Sequence, residues 1–172
     1  MRKAVKALLD YEGPAYLRLG RMAVESVTDE TPGYEFTLGK AALLRDGSDV
    51  TLAATGLMVQ RALAAADILA AKGLSARVLD IHTIKPLDTE AILAAARDTG
   101  CIVTSEEHSI IGGLGSAVAA VCAENCPVPV VRHGVMDEFG RSGKALEVLE
   151  HYGLTAEVMA EKAERAIALK KK

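Results

Sequence analysis

Over most of this chain, short apolar runs alternate with longer stretches of helical periodicity. Lys40–Leu44 reads as a short strand and Asp49–Ala54 (DVTLAA) as the next. Asp46-Gly47-Ser48 lies between them, and Asp-Gly between apolar runs is a strong hairpin signal. The pattern thus predicts that the first strand lies antiparallel to the second, on one sheet edge. Thr55-Gly56 turns into a long helix, Leu57–Ala71, stopped by Lys72-Gly73 with glycine in its favoured place past a C-terminus. Ala76–Ile81 is a strand. Pro86 then breaks the chain, and Asp88 is the expected N-cap of a helix over Thr89–Arg97. Cys101–Thr104 has buried-strand character. A polar turn, Ser105-Glu106-Glu107-His108, follows it, then the glycines of Gly112-Gly113-Leu114-Gly115 and an Ala/Val helix. Val128–Arg132 is the last strand, with Pro127 and Pro129 marking an edge or an irregular start. Gly140–Gly143 is a loop. Helices Lys144–His151 and Ala156–Lys170 close the chain, with Gly153 between them and Thr155 capping the second. About five strands alternating with helices predict an α/β fold: a three-layer α/β/α sandwich around a mixed, mostly parallel sheet with one antiparallel edge strand.

The residues before Tyr34 follow another pattern. Met1–Glu12 places Val5, Leu8 and Leu9 opposite Arg2, Lys3 and Lys6, as a short surface helix does. Gly13-Pro14 stops it, and Ala15–Leu19 alternates like a strand. Glu25–Gly33 is polar, acidic and closed by Pro-Gly, which reads as a linker. A helix and one strand cannot build a sheet alone. The segment is therefore expected to be the end of another domain.

Composition narrows the function classes. A chain of 172 residues holds one domain, or one with an incomplete neighbour. It can bury roughly 70% of its unfolded surface. Two Phe, four Tyr and no Trp leave little for base stacking, and a net charge of −3 leaves no basic footprint for nucleic acid. The closing lysines, Lys170-Lys171-Lys172, read as a solvated helix end. Cys101, Cys122 and Cys126 cannot all pair and form no zinc pattern, so they read as small buried apolar residues. The apolar runs are too short for a bilayer and the N-terminus is no signal peptide, so no membrane is expected and the cytoplasm is the simplest compartment.

Candidate chemistry gathers where strands end. His82-Thr83, Glu106-Glu107-His108 and Arg132-His133 each follow a strand, on the carboxyl edge where open parallel sheets meet ligands. The plain reading is a polar rim whose carboxylates cap backbone N–H groups. A subunit or domain contact, and acid–base work, are the alternatives. Successive strand residues point to opposite faces, so Glu106 and Glu107 enter one pocket only if the strand has already ended. The glycine cluster invites a dinucleotide reading, but Gly113-Leu114-Gly115-Ser116-Ala117-Val118 ends in valine where the fingerprint needs a small residue. Close passage of backbone to a neighbouring chain is the commoner use. Arg18 points away from Leu17 and Leu19, and Arg21 lies past Gly20. Either can fork onto a phosphate or carboxylate, though surface arginine is the more frequent role.

Taken in order, these motifs resemble a known family. Gly13-Pro-Ala-Tyr-Leu-Arg-Leu-Gly-Arg21 is similar to the end of the pyrimidine-binding domain of thiamine-diphosphate enzymes. Ile84-Lys-Pro-Leu-Asp88, Glu106-Glu107-His108 with Gly112-Gly113-x-Gly115, and Asp137-Glu-Phe-Gly-Arg-Ser-Gly143 followed by Leu149-x-x-Tyr-Gly-Leu-Thr155 resemble the C-terminal domain of transketolases. The resemblance runs from Met1 to about Leu169, most closely to the C-terminal half of a split transketolase. 1-Deoxyxylulose-5-phosphate synthase and the 2-oxo acid dehydrogenase E1 beta subunit share the domain.

The resemblance implies a five-stranded mixed sheet. It implies transfer of a two-carbon ketol unit between sugar phosphates, in carbohydrate metabolism of the pentose phosphate kind, with thiamine diphosphate and Mg²⁺. It implies a division into 1–21, the end of the pyrimidine-binding domain, a linker over 22–33 and the C-terminal domain over 34–172. Arg21, with Arg18 as runner-up, aligns with the arginine that grips the substrate phosphate. No catalytic, cofactor or metal residue is assigned to this chain: the family's GDG motif and its activating glutamate belong elsewhere. An N-terminal coenzyme-binding subunit or domain is then the implied partner, in a homodimer or heterotetramer, and the chain alone is expected to be inactive. A non-catalytic dimerisation scaffold is the alternative of another class.

Overall fold

The computed structural model describes residues 1–28 and 33–170. Five strands form one sheet: β1 (Ala42–Arg45), β2 (Val50–Ala54), β3 (Ala76–Asp80), β4 (Ile102–Ser109) and β5 (Val130–Val135), in the order β1-β3-β2-β4-β5. β2 runs parallel to β3 and β4, and β5 parallel to β4. β1 alone is antiparallel, and it pairs with β3. This corrects the hairpin expected between β1 and β2. β2 is buried at all five positions and flanked on both sides, so no edge is left beside it for β1. The turn between β1 and β2 instead crosses the start of β3. A Cβ on Gly47 would lie 2.3 Å from the Ala76 carbonyl carbon, so only glycine passes there.

Six helices, α1 (Arg2–Leu9), α2 (Met58–Ala71), α3 (Thr89–Thr99), α4 (Leu114–Asn125), α5 (Ala145–His151) and α6 (Ala156–Lys170), complete the described elements. Alternation along the strands divides the core between two faces. Val50, Leu52 and Ala54 of β2 and Val78 of β3 meet α2 and α6. Ala53, Leu79 and Ile102 meet α3 and α4. The helix faces that touch are alanine-rich: Ala62, Ala65 and Ala66 on α2, and Ala160, Ala163 and Ala166 on α6. Small side chains let helix and sheet approach closely at little entropic cost.

Local signals explain the ends. α2 closes with Gly73 at φ 77°, as Leu74 N–H donates to Leu69 O and Gly73 N–H to Ala70 O, a Schellman arrangement. Asp88 caps α3 through Ala91 N–H at 3.1 Å and also accepts from Ala41 N–H at 2.9 Å, tying β1 to the helix start. The Thr155 hydroxyl accepts from Val158 N–H at 3.3 Å, as expected of a cap. Lys170 is not a purely solvated end. Its ammonium donates to Asp49 O and Thr99 O, closing two carbonyls at the amino edge of the sheet; Lys171 and Lys172 lie outside the described residues.

The N-terminal segment behaves differently. α1 buries no residue, and its contact with the domain includes Lys3, which donates to Tyr34 O and lies 5.0 Å from the centre of that ring. Ala15–Leu19 is not a strand. It is exposed, and a single strand has no ladder to join. The expected linker falls partly outside the described residues. Its described part is held to the domain: Met22 and Val27 pack against the core, and Glu25 N–H donates to the Gln60 side chain at 3.3 Å.

Candidate functional site

β4 is the element on which the carboxyl edge is built. Its polar end, read from sequence as a turn, continues as strand to Ser109. Ser105 and Glu106 are buried there, and burial of such groups requires partners. Glu106 finds them at the start of α4, where Leu114 N–H and Gly115 N–H donate to its two oxygens at 2.7 and 2.8 Å. The carboxylate thus meets two of the amides that a helix start leaves unpaired, at the positive end of its dipole. A Cβ on Gly113 would fall 2.0 Å from Glu106 Oε2, and one on Gly115 would fall 2.8 Å from Thr104 Oγ1. Gly113 and Gly115 therefore make room for this chain's own side chains, while Gly112, at φ 75°, has open space beside it. The amides of Gly112, Leu114 and Gly115 are already used, by Ser116 and Glu106, which speaks against the dinucleotide reading.

Ser105 is met by His133. The His133 Nδ1 lies 3.0 Å from Ser105 Oγ and Nε2 lies 2.8 Å from Gly153 O. A carbonyl only accepts, so Nε2 carries the proton and Nδ1 accepts from the hydroxyl. Burial lowers the pKa of this imidazole, and the Lys162 ammonium lowers it further. His133 is thus a neutral strut between β4, β5 and the turn after α5. His82 sits elsewhere, against Phe36 and Thr83, and burial lowers its pKa too. His108 is exposed and bonded to Ser109 O. His108 Nδ1 lies 4.0 Å from Glu106 Oε2, but among the described residues no hydrogen bond or ring contact joins the three histidines, so the acid–base cluster does not assemble as a whole. Nor does any group of three or more His, Cys, Asp or Glu among those residues converge to hold a metal. Arg132 lies across the start of α4 and donates to Ile110 O at 3.0 Å.

Glu107 points the other way from Glu106, as the persistence of the strand requires. It borders a cleft of about 240 Å³ lined also by Arg21, Met22, Arg141, Gly143 and Leu149. Arg18 donates to the backbone carbonyl of Glu107 at 3.2 Å and so pins the N-terminal segment to the end of β4. Of the two arginines singled out in the sequence, Arg21 lines the cleft and Arg18 fastens the backbone beside it. Arg141 comes from the loop between β5 and α5, which the sequence marks as a loop and as part of a family-like motif but not as a site. Its presence in the cleft depends on tertiary contacts that no local pattern encodes.

A sheet of this order, with an arginine-bearing segment fastened over its carboxyl edge, defines an α/β domain with a mixed sheet and a cleft at the end of β4. The family model described as "Transketolase, C-terminal domain" matches residues 39–159. The chain belongs to the transketolase C-terminal domain family. It is 51% identical over 156 residues to a 6-deoxy-6-sulfo-D-fructose transketolase subunit of Clostridium sp. (strain MSTE9), covering 91% of this chain and 48% of that protein. It is 50% identical over 156 residues to an apulose-4-phosphate transketolase subunit of Phocaeicola vulgatus, covering 91% of this chain and 49% of that protein. A solved split-gene transketolase, described as an inactive beta4 tetramer, superposes with a TM-score of 0.93 at 47% identity, over 98% of this chain and 55% of that one. The chain thus spans about half the length of these relatives.

Proposed function

We propose that this chain is the C-terminal part of a thiamine-diphosphate-dependent transketolase, which moves a two-carbon ketol unit between sugar phosphates. In this reading residues 1–21 end the pyrimidine-binding domain, 22–33 link, and 34–172 form the C-terminal domain. The observation that carries it is the agreement with two transketolase subunits at 51% and 50% identity over 91% of the chain. A 1-deoxy-D-xylulose-5-phosphate synthase of Heliobacterium modesticaldum is 41% identical over 161 residues, a weaker likeness covering 25% of that protein.

Thiamine diphosphate with Mg²⁺ would supply the carbanion chemistry of such a reaction. The described residues do not fit that group: the glycine-rich helix start is filled by Glu106, and no acidic or histidine cluster stands ready for the metal. The coenzyme is therefore assigned to an N-terminal subunit or domain, and no chemical step to residues of this chain. What the chain supplies is a guanidinium, Arg21, at a cleft beside that partner, and a rigid sheet that holds it. An arginine fork there binds the acid group that ends the sugar, phosphate or sulfonate, and orients the ketose for transfer.

Ketol transfer should appear when the chain is combined with a thiamine-binding N-terminal subunit and be absent from either part alone. If the complete assembly transfers no ketol unit from any ketose, the reading is wrong. Within an active assembly, Arg21→Ala should raise KM for phosphorylated ketoses about tenfold with a smaller effect on kcat. An unchanged KM would remove Arg21 from the site.

A further inference from the structure

Most arginines that the structure holds in polar contacts are used by the fold. Arg45 pairs with Asp67, Arg77 with Asp46 and Asp98, Arg18 holds the Glu107 carbonyl, and Arg132 holds that of Ile110. Arg21 and Arg141 differ. Both line the cleft at the end of β4, and among the described residues neither is in an ion pair. They reach it from opposite ends of the chain, and each arm is anchored close by. Arg18, three residues before Arg21, is bonded to β4. The Tyr152 hydroxyl donates to Phe139 O at 2.7 Å, two residues before Arg141. Gly143, two residues after it, packs so that a Cβ would lie 3.0 Å from Val148 Cγ2. Anchoring both arms lowers the ordering cost that a ligand would otherwise meet. Two guanidiniums against the one carboxylate of Glu107 leave the cleft with net positive charge.

We infer that Arg141 is a second anion-binding residue, which together with Arg21 grips the terminal phosphate or sulfonate of the sugar, while Glu107 limits how much negative charge the cleft accepts. The inference rests on the transketolase reading for the identity of the sugar, but not for anion binding as such. Glu107 sets the selectivity by repulsion: a phosphate, carrying more charge than a sulfonate near neutrality, is penalised more.

The test is a titration of the full chain with inorganic phosphate and, separately, methanesulfonate, followed by NMR. Arg141→Ala and Arg21→Ala should each weaken phosphate binding about tenfold. Arg141→Lys, which keeps the charge and loses the fork, should restore part of the loss. Glu107→Gln should tighten phosphate more than methanesulfonate, and Arg165→Ala, on the exposed side of α6, should change neither. In the complete assembly Arg141→Ala should raise KM for a phosphate-ended ketose, and for a sulfonate-ended one, about tenfold more than for a donor without a terminal anion. Phosphate binding by Arg141→Ala within twofold of the parent chain, or no saturable binding by the parent, would overturn the inference. If the titration gives the expected pattern while the assembly transfers no ketol unit, the anion site stands and the transketolase reading falls.

Discussion

The N-terminal segment and the sheet domain are made of similar residues and have opposite fates. Leu52 and Met58 are fully buried, whereas Leu9 is 80% exposed and Tyr16 91% exposed. Propensity does not separate them: the α1 segment has a clear amphipathic pattern, and Ala15–Leu19 alternates as a strand should. The difference is partners. β2 has a strand on each side and a helix layer on each face, while the residues around Tyr16 have no ladder to join. A periodic pattern predicts an element only where something is present to bury its apolar face.

Truncation should expose that contrast most sharply. Leu52→Ala leaves a cavity in a filled core and should cost about 4 kcal/mol in chemical denaturation of the chain. A loss under about 1 kcal/mol would mean that the two-faced core is not packed as described. Glu106→Ala strands two amides at the start of α4 beneath buried surroundings and should cost about 3 kcal/mol. Equal stability of the variant would show that water replaces the carboxylate.

Asp80, at the carboxyl end of β3, gives a smaller effect with a distinctive pH dependence. Burial holds its carboxyl up at about 6 from an ordinary 3.8, against the opposing pull of the Met1 ammonium. Between those values the folded chain binds more protons than the unfolded one. Its contribution therefore makes the chain more stable as pH falls through about 6 and levels off near 4. Asp80→Asn should stabilise by about 1–2 kcal/mol above pH ~7 and by little below pH ~4. A constant difference across that range would contradict the assignment. Buried His133 and half-buried His82 work in the other sense. Their pKa values are lowered, so the stability they contribute is lost as pH falls below the ordinary histidine value of 6.5. The smallest effect is expected in the N-terminal segment, where Leu19→Ala should stay within about 0.5 kcal/mol. A larger loss would mean that this segment is part of the core.

Much of the domain was legible because its signals are local. Asp88 caps α3, Gly73 closes α2, and Thr155 starts α6 as their residue types suggest. The pairing of β1 was not legible, because Asp46-Gly47 marks a tight turn without saying which strand lies beside it. The end of β4 was misread for a related reason. Ser-Glu-Glu-His is polar, and polarity suggests a turn until His133 and the amides of α4, distant in sequence, are seen to satisfy it. The candidate site was half visible: Arg21 stood out past a glycine, whereas Arg141 enters the cleft only through the fold of the β5–α5 loop.

In the function proposed above, this chain completes a ketol-transfer site whose coenzyme is held elsewhere. A ketol-transfer assay of the purified chain, alone and with increasing amounts of a thiamine-binding N-terminal subunit, tests it most directly. No turnover is expected without that subunit, and the rate should rise to a plateau at an equimolar ratio. Turnover by the chain alone in the presence of thiamine diphosphate and Mg²⁺, undiminished by Arg21→Ala, would contradict it.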